Sequence, residues 1–73
     1  MTNEQILNAL EDAMDVAQNS LTMETVLFDV HEYDSMAKLS VIILADDDFG
    51  EKLTGEQIRE FSTVGDIVNF LAS

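Results

Sequence analysis

The sequence contains no cysteine, no proline and only three basic residues. Without cysteine there is no disulfide, no thiolate metal ligand and no cysteine nucleophile, so any thiol chemistry would need a thiol from outside the chain. The longest unbroken apolar run, Val41 to Ala45, is far too short to span a bilayer, and the first residues lack the basic start of a signal peptide. We therefore expect a soluble, cytoplasmic protein without membrane insertion.

Repeats, low-complexity segments and linker-like stretches are also missing, so nothing marks a domain boundary. At 73 residues the chain is predicted to form a single domain, residues 1 to 73, and we expect a monomer. A domain of this size has a small core, which argues against a large catalytic cleft.

Acidic residues outnumber basic ones by fifteen to three, which gives a net charge of −12. Nucleic acid and anionic membrane are poor partners for such a chain. The charge could serve solubility alone, or it could guide docking onto basic patches of larger proteins. Because 47% of the residues are hydrophobic, the chain is expected to fold.

A capping box, Thr2 with Gln5, predicts a first helix over residues 3 to 17. Its apolar and polar residues recur at helical spacing, which is typical of an amphipathic surface helix. The side expected to face the core holds Ile6, Leu7, Leu10, Ala13, Met14 and Ala17, and the solvent side holds Glu4, Asn8, Glu11, Asp12 and Asp15.

Residues 18 to 33 show no persistent period and are predicted to form a long loop, with a short helical turn near residues 24 to 28. Scattered apolar side chains are expected to pin this loop to the core. They are Leu21, Met23, Val26, Phe28 and Val30.

The central stretch, residues 33 to 50, has the signals of one complete helix. Asp34 is placed to cap its start, and Gly50 follows the last apolar position, where a left-handed residue ends a helix. Ser35 then lies at the helix N-terminus. Free N–H groups and the positive end of the helix dipole favour a phosphate on this hydroxyl.

Two further helices are predicted after this stretch. Residues 56 to 61 form a short third helix that offers Ile58 and Phe61 to the core, and Thr63 with Asp66 caps a last helix. The predicted fold is all-α, a small four-helix bundle of three longer helices and a short third one. The last helix carries an apolar stripe of Val64, Ile67, Val68 and Leu71, with Phe70 at its edge.

At 100° per residue the central helix has two different sides. Its core side is predicted to hold Val41, Ile42, Ala45 and Phe49, with Leu44 at the border and Lys38 as a charged exception. A helix buried all round is the competing interpretation. The opposite side carries three apolar residues among carboxylates, which is typical of a docking surface. Its members are Met36, Leu39, Ile43, Asp46 and Asp47.

Asp34-Ser35-Met36, opening an apolar helix that ends at Phe49-Gly50, resembles the Asp-Ser-Leu signature of acyl carrier proteins. The likeness covers almost the whole chain. It includes the N-terminal helix, the long loop, Ile58 in a short third helix, and the Ser62-Thr63-Val64 start of a last helix.

This resemblance implies a carrier and not an enzyme, with no catalytic residues of its own. Ser35 would be esterified by a phosphopantetheinyl transferase to 4′-phosphopantetheine, whose thiol holds an acyl cargo as a thioester. Asp34 would cap the helix and help the transferase to recognise it. The docking surface would meet acyl-loading and acyl-using enzymes through their basic patches. Interior positions of the family that surround an acyl chain match Ile42, Ala45, Phe49 and Ile58.

Several residues differ from typical fatty-acid carriers. Glu32 stands where those carriers have glycine, and Ala37 and Ser40 replace residues that are often acidic. Tyr33 before Asp-Ser is similar to specialised carriers, and Lys38 places a cation beside the expected opening of the acyl cavity. These features favour a specialised carrier over a housekeeping one.

Other sequence features point to different functions but do not complete their patterns. Asp46-Asp47-Asp48 fails the calcium-loop pattern, because Glu51 stands where glycine is needed, so no metal site is predicted. His31, near Ser35 in sequence, lacks the further groups of a hydrolase. The remaining alternatives are an aminoacyl or peptidyl carrier, and a small acidic interaction domain without a prosthetic group.

Overall fold

A computed structural model describes residues 2–72, and these form four α-helices and a short 3-10 turn. The helices are α1 (Asn3–Met14), α2 (Ser35–Phe49), α3 (Gly55–Glu60) and α4 (Val64–Ala72), and the 3-10 turn is Leu27–Asp29. Within the described residues there is no strand beyond one isolated bridge between Val26 and Thr63. The predicted all-α bundle with a short third helix is confirmed.

The α1 helix begins as predicted but ends earlier. The Thr2 hydroxyl accepts the Gln5 N–H at 3.1 Å, and the Gln5 side chain accepts the Thr2 N–H at 2.8 Å. The helix stops at Met14 and not at residue 17, because Asp15 adopts the left-handed conformation with φ 58°. The predicted boundary was therefore three residues too long.

The α3 helix also has a capping box, which the sequence analysis did not use. The Thr54 hydroxyl accepts the Gln57 N–H at 3.1 Å, and the Gln57 side chain accepts the Thr54 N–H at 3.0 Å. The helix therefore runs over Gly55–Glu60, one residue earlier than predicted. Phe61 lies just after it in extended conformation, and its ring packs 5.8 Å from that of Phe70.

The long loop between α1 and α2 is held by backbone bonds as well as by apolar side chains. Leu27 N–H donates to Ser62 O, Val64 N–H to Thr25 O and Gly65 N–H to Met23 O, each at 2.9 Å. These bonds fix the loop to the start of α4, and the helical turn forms at Leu27–Asp29, slightly later than predicted.

Two of the apolar loop residues do not pin the loop as predicted. Phe28 is 95% exposed and Val26 is 44% exposed, whereas Leu27 between them is buried. The bridge at Val26 and the bond from Leu27 to Ser62 orient this segment so that the intervening side chain points inward. A loop without a period gives no means of choosing between these neighbours from sequence.

The core lies where all four helices meet. It is built from aliphatic side chains of every helix together with Leu21, Leu27 and Leu53 from the connections. No helix of residues 2–72 has the length and apolar character needed to cross a bilayer. The buried hydrophobic residues of the helices are Ile6, Leu10, Met14, Ala37, Val41, Ala45, Ile58, Val64, Ile67, Val68 and Leu71.

Candidate functional site

Ser35 is exposed and is the first residue of α2. Asp34, in extended conformation, accepts the Ala37 N–H with its side chain at 2.9 Å and the Lys38 N–H with its carbonyl at 2.9 Å. The first N–H groups of a helix have no acceptor within the helix, and they carry the positive end of its dipole. The Ser35 hydroxyl therefore lies at the accessible, electropositive end of a well-capped helix.

The α2 helix is not buried all round. Met36, Leu39 and Ile43 are 78%, 56% and 51% exposed, and they form a stripe that starts one residue after Ser35. Asp46 and Asp47 follow it and are exposed. The exposure agrees with the angular analysis, but the function of this surface as a docking site stays a prediction.

The opposite side of α2 faces the core. Val41 and Ala45 are fully buried, and Ile42, Leu44 and Phe49 are half-buried and packed against the core. Ile58 of α3 is buried as well. These positions match the predicted interior set, and their contact with an acyl chain stays a prediction.

Tyr33 and Lys38 form a pair beside Ser35. The Lys38 ammonium lies 5.4 Å from the centroid of the Tyr33 ring, a distance at which a cation is attracted to the ring face. The Tyr33 hydroxyl is buried without a hydrogen-bond partner among residues 2–72. Burial raises the pKa of Tyr33 to about 12, because it disfavours the charged phenolate. The hydroxyl therefore stays protonated at neutral pH.

Two open grooves are lined by close sequence neighbours of Ser35. Each groove has lining residues from before and from after Ser35 in the sequence. The first, of about 330 Å³, is lined by Asp15, Glu32 and Asp34 together with residues of α1 and α2, and we call it the acidic groove. The second has a volume of about 370 Å³, and we call it the basic groove. It is lined by Leu27, Phe28, Tyr33, Lys38, Ile58, Arg59 and Phe61.

Sequence reasoning missed Arg59 and the role of Phe28 in the basic groove. Arg59 is on α3, far from Ser35 along the chain, and only the tertiary fold places it on the same groove as Lys38. The residues around Arg59 in the sequence do not indicate that its side chain lines this groove. Phe28 was expected to be a core contact, and it is instead a groove wall.

Glu11 is another residue that the sequence analysis misplaced. It was assigned to the solvent side of α1, but it is only 2% exposed. One carboxyl oxygen accepts the Leu21 N–H at 3.0 Å, and the other has no partner within residues 2–72. A signal was present, because Glu11 follows Leu7 by four residues and precedes Met14 by three, which places it on the apolar side.

The other candidates of the sequence analysis lie apart from this arrangement. His31 is exposed and lines a different groove, with Asp29 and Glu32. Asp46 is 3.8 Å from the Lys52 ammonium, and Asp47 and Asp48 are exposed. In the described part of the chain no three His, Cys, Asp or Glu side chains are grouped so that they could hold a metal ion.

Comparison with known proteins identifies the kind of site. A family model described as "Phosphopantetheine attachment site" matches residues 4–71. An acyl carrier protein of Renibacterium salmoninarum is 26% identical over 99% of this chain and 94% of its own length. One from Arthrobacter sp. (strain FB24) is 29% identical, with the same coverage of both chains. One from Lactobacillus acidophilus is 27% identical over 100% of this chain and 96% of its own. No solved structure gives a significant match.

Proposed function

Because the chain belongs to the phosphopantetheine attachment family, we propose that it carries acyl groups as thioesters on a 4′-phosphopantetheine esterified to Ser35. The observation that carries this proposal is the position of Ser35, an exposed hydroxyl at the capped N-terminus of α2. When bound, the group supplies the thiol that a chain without cysteine lacks.

The residues around Ser35 fit such a group. Ser35 is exposed, which leaves its hydroxyl accessible to a transferase. The N–H groups of the first turn of α2 favour the negative charge of a phosphodiester. Asp34 holds this turn through Ala37 and Lys38 and so fixes the backbone that presents Ser35. In this role the residues of the chain hold and present the cargo, and the transferase and the partner enzymes carry out the chemistry.

The attachment is tested by intact-mass measurement after incubation with coenzyme A and a broad-specificity phosphopantetheinyl transferase. We expect the mass to increase by one phosphopantetheinyl group in the wild type and not in Ser35→Ala. Ser40→Ala, which removes a half-buried hydroxyl from the same helix, is the matched control and should still be modified. An unmodified wild type would instead support an acidic interaction domain without a prosthetic group, and modification of Ser35→Ala would place the attachment elsewhere.

We further propose that the exposed stripe of α2 is where partner enzymes dock. Met36, Leu39 and Ile43 offer apolar area, and Asp46 and Asp47 offer negative charge to basic patches on those enzymes. The chain differs from typical fatty-acid carriers at Glu32, Ala37, Lys38 and Ser40, and these differences support a specialised acyl pathway. We propose separately that the chain acts as a monomer.

Docking is tested by the kcat/KM of the transferase for variants of this stripe. Leu39→Ala should lower kcat/KM about 5-fold to 10-fold if the side chain is a buried contact in the complex. Val26→Ala truncates an exposed apolar side chain outside the stripe and should leave kcat/KM unchanged. Equal effects of the two variants would contradict a docking role for this surface.

A further inference from the structure

The two grooves beside Ser35 carry opposite charge. Three carboxyl groups line the acidic groove, those of Asp15, Glu32 and Asp34. Two cations line the basic groove, Lys38 from α2 and Arg59 from α3. An anion that enters the first groove would be repelled by these carboxylates, and one that enters the second would be attracted by the two cations.

The basic groove holds most of the positive charge of the chain. Only three residues are basic, and two of them line this groove. The third, Lys52, is 91% exposed and lies 3.8 Å from Asp46. Within residues 2–72 neither Lys38 nor Arg59 forms an ion pair, although the chain has fifteen acidic residues. Both cations are therefore available to an incoming anion.

The rest of the groove is apolar and partly aromatic. Phe28 is 95% exposed and Phe61 is half-buried. Ile58, which is buried, lines the side of the groove that faces the core. The Tyr33 ring holds the Lys38 ammonium at 5.4 Å from its centroid. A short hydrocarbon segment that ends in an anion would match both the wall and the two cations, because Arg and Lys bind carboxylates through charge-assisted hydrogen bonds.

We propose that the basic groove receives a cargo that bears a free carboxylate, a dicarboxylic acyl group held as a thioester through one carboxyl and bound by Lys38 and Arg59 through the other. The inference rests on the proposed function, since the cargo reaches the groove from Ser35. It narrows the cargo class from acyl groups in general to acyl groups with a negatively charged end.

The experiment loads the protein through the transferase with two acyl-coenzyme A donors of equal chain length, glutaryl and pentanoyl, and confirms complete loading by intact mass. We expect the glutaryl form to melt about 2–5 °C above the pentanoyl form at low salt. The difference should disappear in Lys38→Gln/Arg59→Gln and persist in Lys52→Gln, which removes a cation outside the groove. It should also shrink in about 0.5 M NaCl, because salt screens partly exposed pairs.

Side-chain NMR signals of Lys38 and Arg59 give a second measurement that needs no variant. They should shift in the glutaryl form relative to the pentanoyl form of the wild type. Equal shifts in both forms would assign the cations to the phosphodiester of the attached group and would overturn the cargo proposal. Equal melting temperatures of the two wild-type forms would overturn it as well. Failure of Ser35 to load with either donor would overturn both this inference and the proposed function.

Discussion

Glu11 shows how a single side chain fixes the beginning of the long loop. Its carboxyl group lies in the core beside α1 and accepts the N–H of Leu21, ten residues further along the chain. A buried backbone N–H without an acceptor is costly, so this bond keeps the loop folded back against α1. The same helix end is closed by Val16 N–H, which donates to the carbonyl of Glu11 at 3.0 Å.

We expect Glu11→Ala to lower the free energy of unfolding by about 1–3 kcal/mol, because Leu21 N–H loses its acceptor inside the core. Glu11→Gln keeps an acceptor oxygen and should lose less. Asp12→Ala, next in sequence but exposed, is the control and should change stability by no more than about 0.5 kcal/mol. Urea denaturation monitored by circular dichroism measures all three, and equal losses in Glu11→Ala and Asp12→Ala would contradict the role of this bond.

Asp66 acts in a similar way at the start of α4, but on the surface. One carboxylate oxygen accepts the N–H of Ser62 at 2.9 Å and of Thr63 at 3.1 Å, and the Thr63 hydroxyl accepts the Asp66 N–H at 3.2 Å. The backbone bonds from Ser62 and Thr63 hold the pKa of Asp66 below its ordinary value of 3.8, since they favour the charged form.

The lowered pKa of Asp66 makes the stability of the fold depend on pH. A lowered folded-state pKa contributes stability above the ordinary pKa, and that contribution is lost as the pH falls toward the folded value. Asp66→Asn should therefore unfold at a lower temperature than wild type at about pH 7, with a difference that narrows below about pH 4. Melting curves across this range test it, with Asp12→Asn as control. A difference that is constant or grows on acidification would show that the carboxylate charge is not the cause.

At the scale of helices, α2 was predicted well because its signals are local. Asp34 caps its start and Gly50, with φ 64°, ends it. The helical angle of about 100° per residue also correctly placed Val41 and Ala45 on the buried side and Met36 on the exposed side. The loop before it was predicted poorly, because its geometry is fixed by backbone bonds to α4 that have no pattern in sequence. The Leu27 side chain is buried and the Phe28 side chain is exposed in the loop that these bonds hold.

The contact between the loop and α4 depends on the absence of a side chain at Gly65. A Cβ atom there would lie 2.6 Å from the Met23 carbonyl oxygen, which already accepts the Gly65 N–H at 2.9 Å. Because the obstacle is backbone and not a flexible side chain, Gly65→Ala must displace the loop. The expected loss in the free energy of unfolding is about 1–3 kcal/mol.

Gly55, in the first turn of α3, provides the matched control for Gly65. A Cβ atom at Gly55 has no atom within 4 Å, so Gly55→Ala should be neutral or should stabilise the fold by about 0.4–1 kcal/mol. Urea denaturation of both variants decides the point. If Gly65→Ala were as stable as Gly55→Ala, the loop would not be held against α4 in the way the structure shows.

At the scale of the whole molecule, the site divides into parts that sequence can and cannot predict. Asp34, Ser35 and the exposed stripe lie on one helix, so their relation follows from helical geometry. The basic groove joins the loop, α2 and α3, and Arg59 reaches it only through tertiary packing. The part of the site that lies on one helix can be predicted from the sequence. The part that is assembled from the loop and two helices can be found only from the three-dimensional structure.

The net charge of −12 acts on the molecule as a whole. The folded chain measures 25 × 25 × 18 Å, and at about 0.01 M salt the Debye length of about 30 Å exceeds each of these dimensions. Under that condition every carboxylate repels every other one. At about 1 M salt the Debye length is about 3 Å, so repulsion between carboxylates further apart than this is largely screened. Unfolding separates the charges, so repulsion destabilises the folded state more than the unfolded one.

We therefore expect the melting temperature to rise by about 4–8 °C, equivalent to roughly 1 kcal/mol, when NaCl is raised from about 0.01 M to about 0.5 M. Calorimetry at a series of salt concentrations measures the rise, which should be steepest at low salt and level off as screening saturates. Magnesium chloride at the same ionic strength separates screening from binding, because a larger shift with magnesium would show that the ion binds to carboxylates of the folded chain and does not only screen them. A melting temperature that does not respond to either salt would mean that self-repulsion does not limit the stability of this acyl carrier.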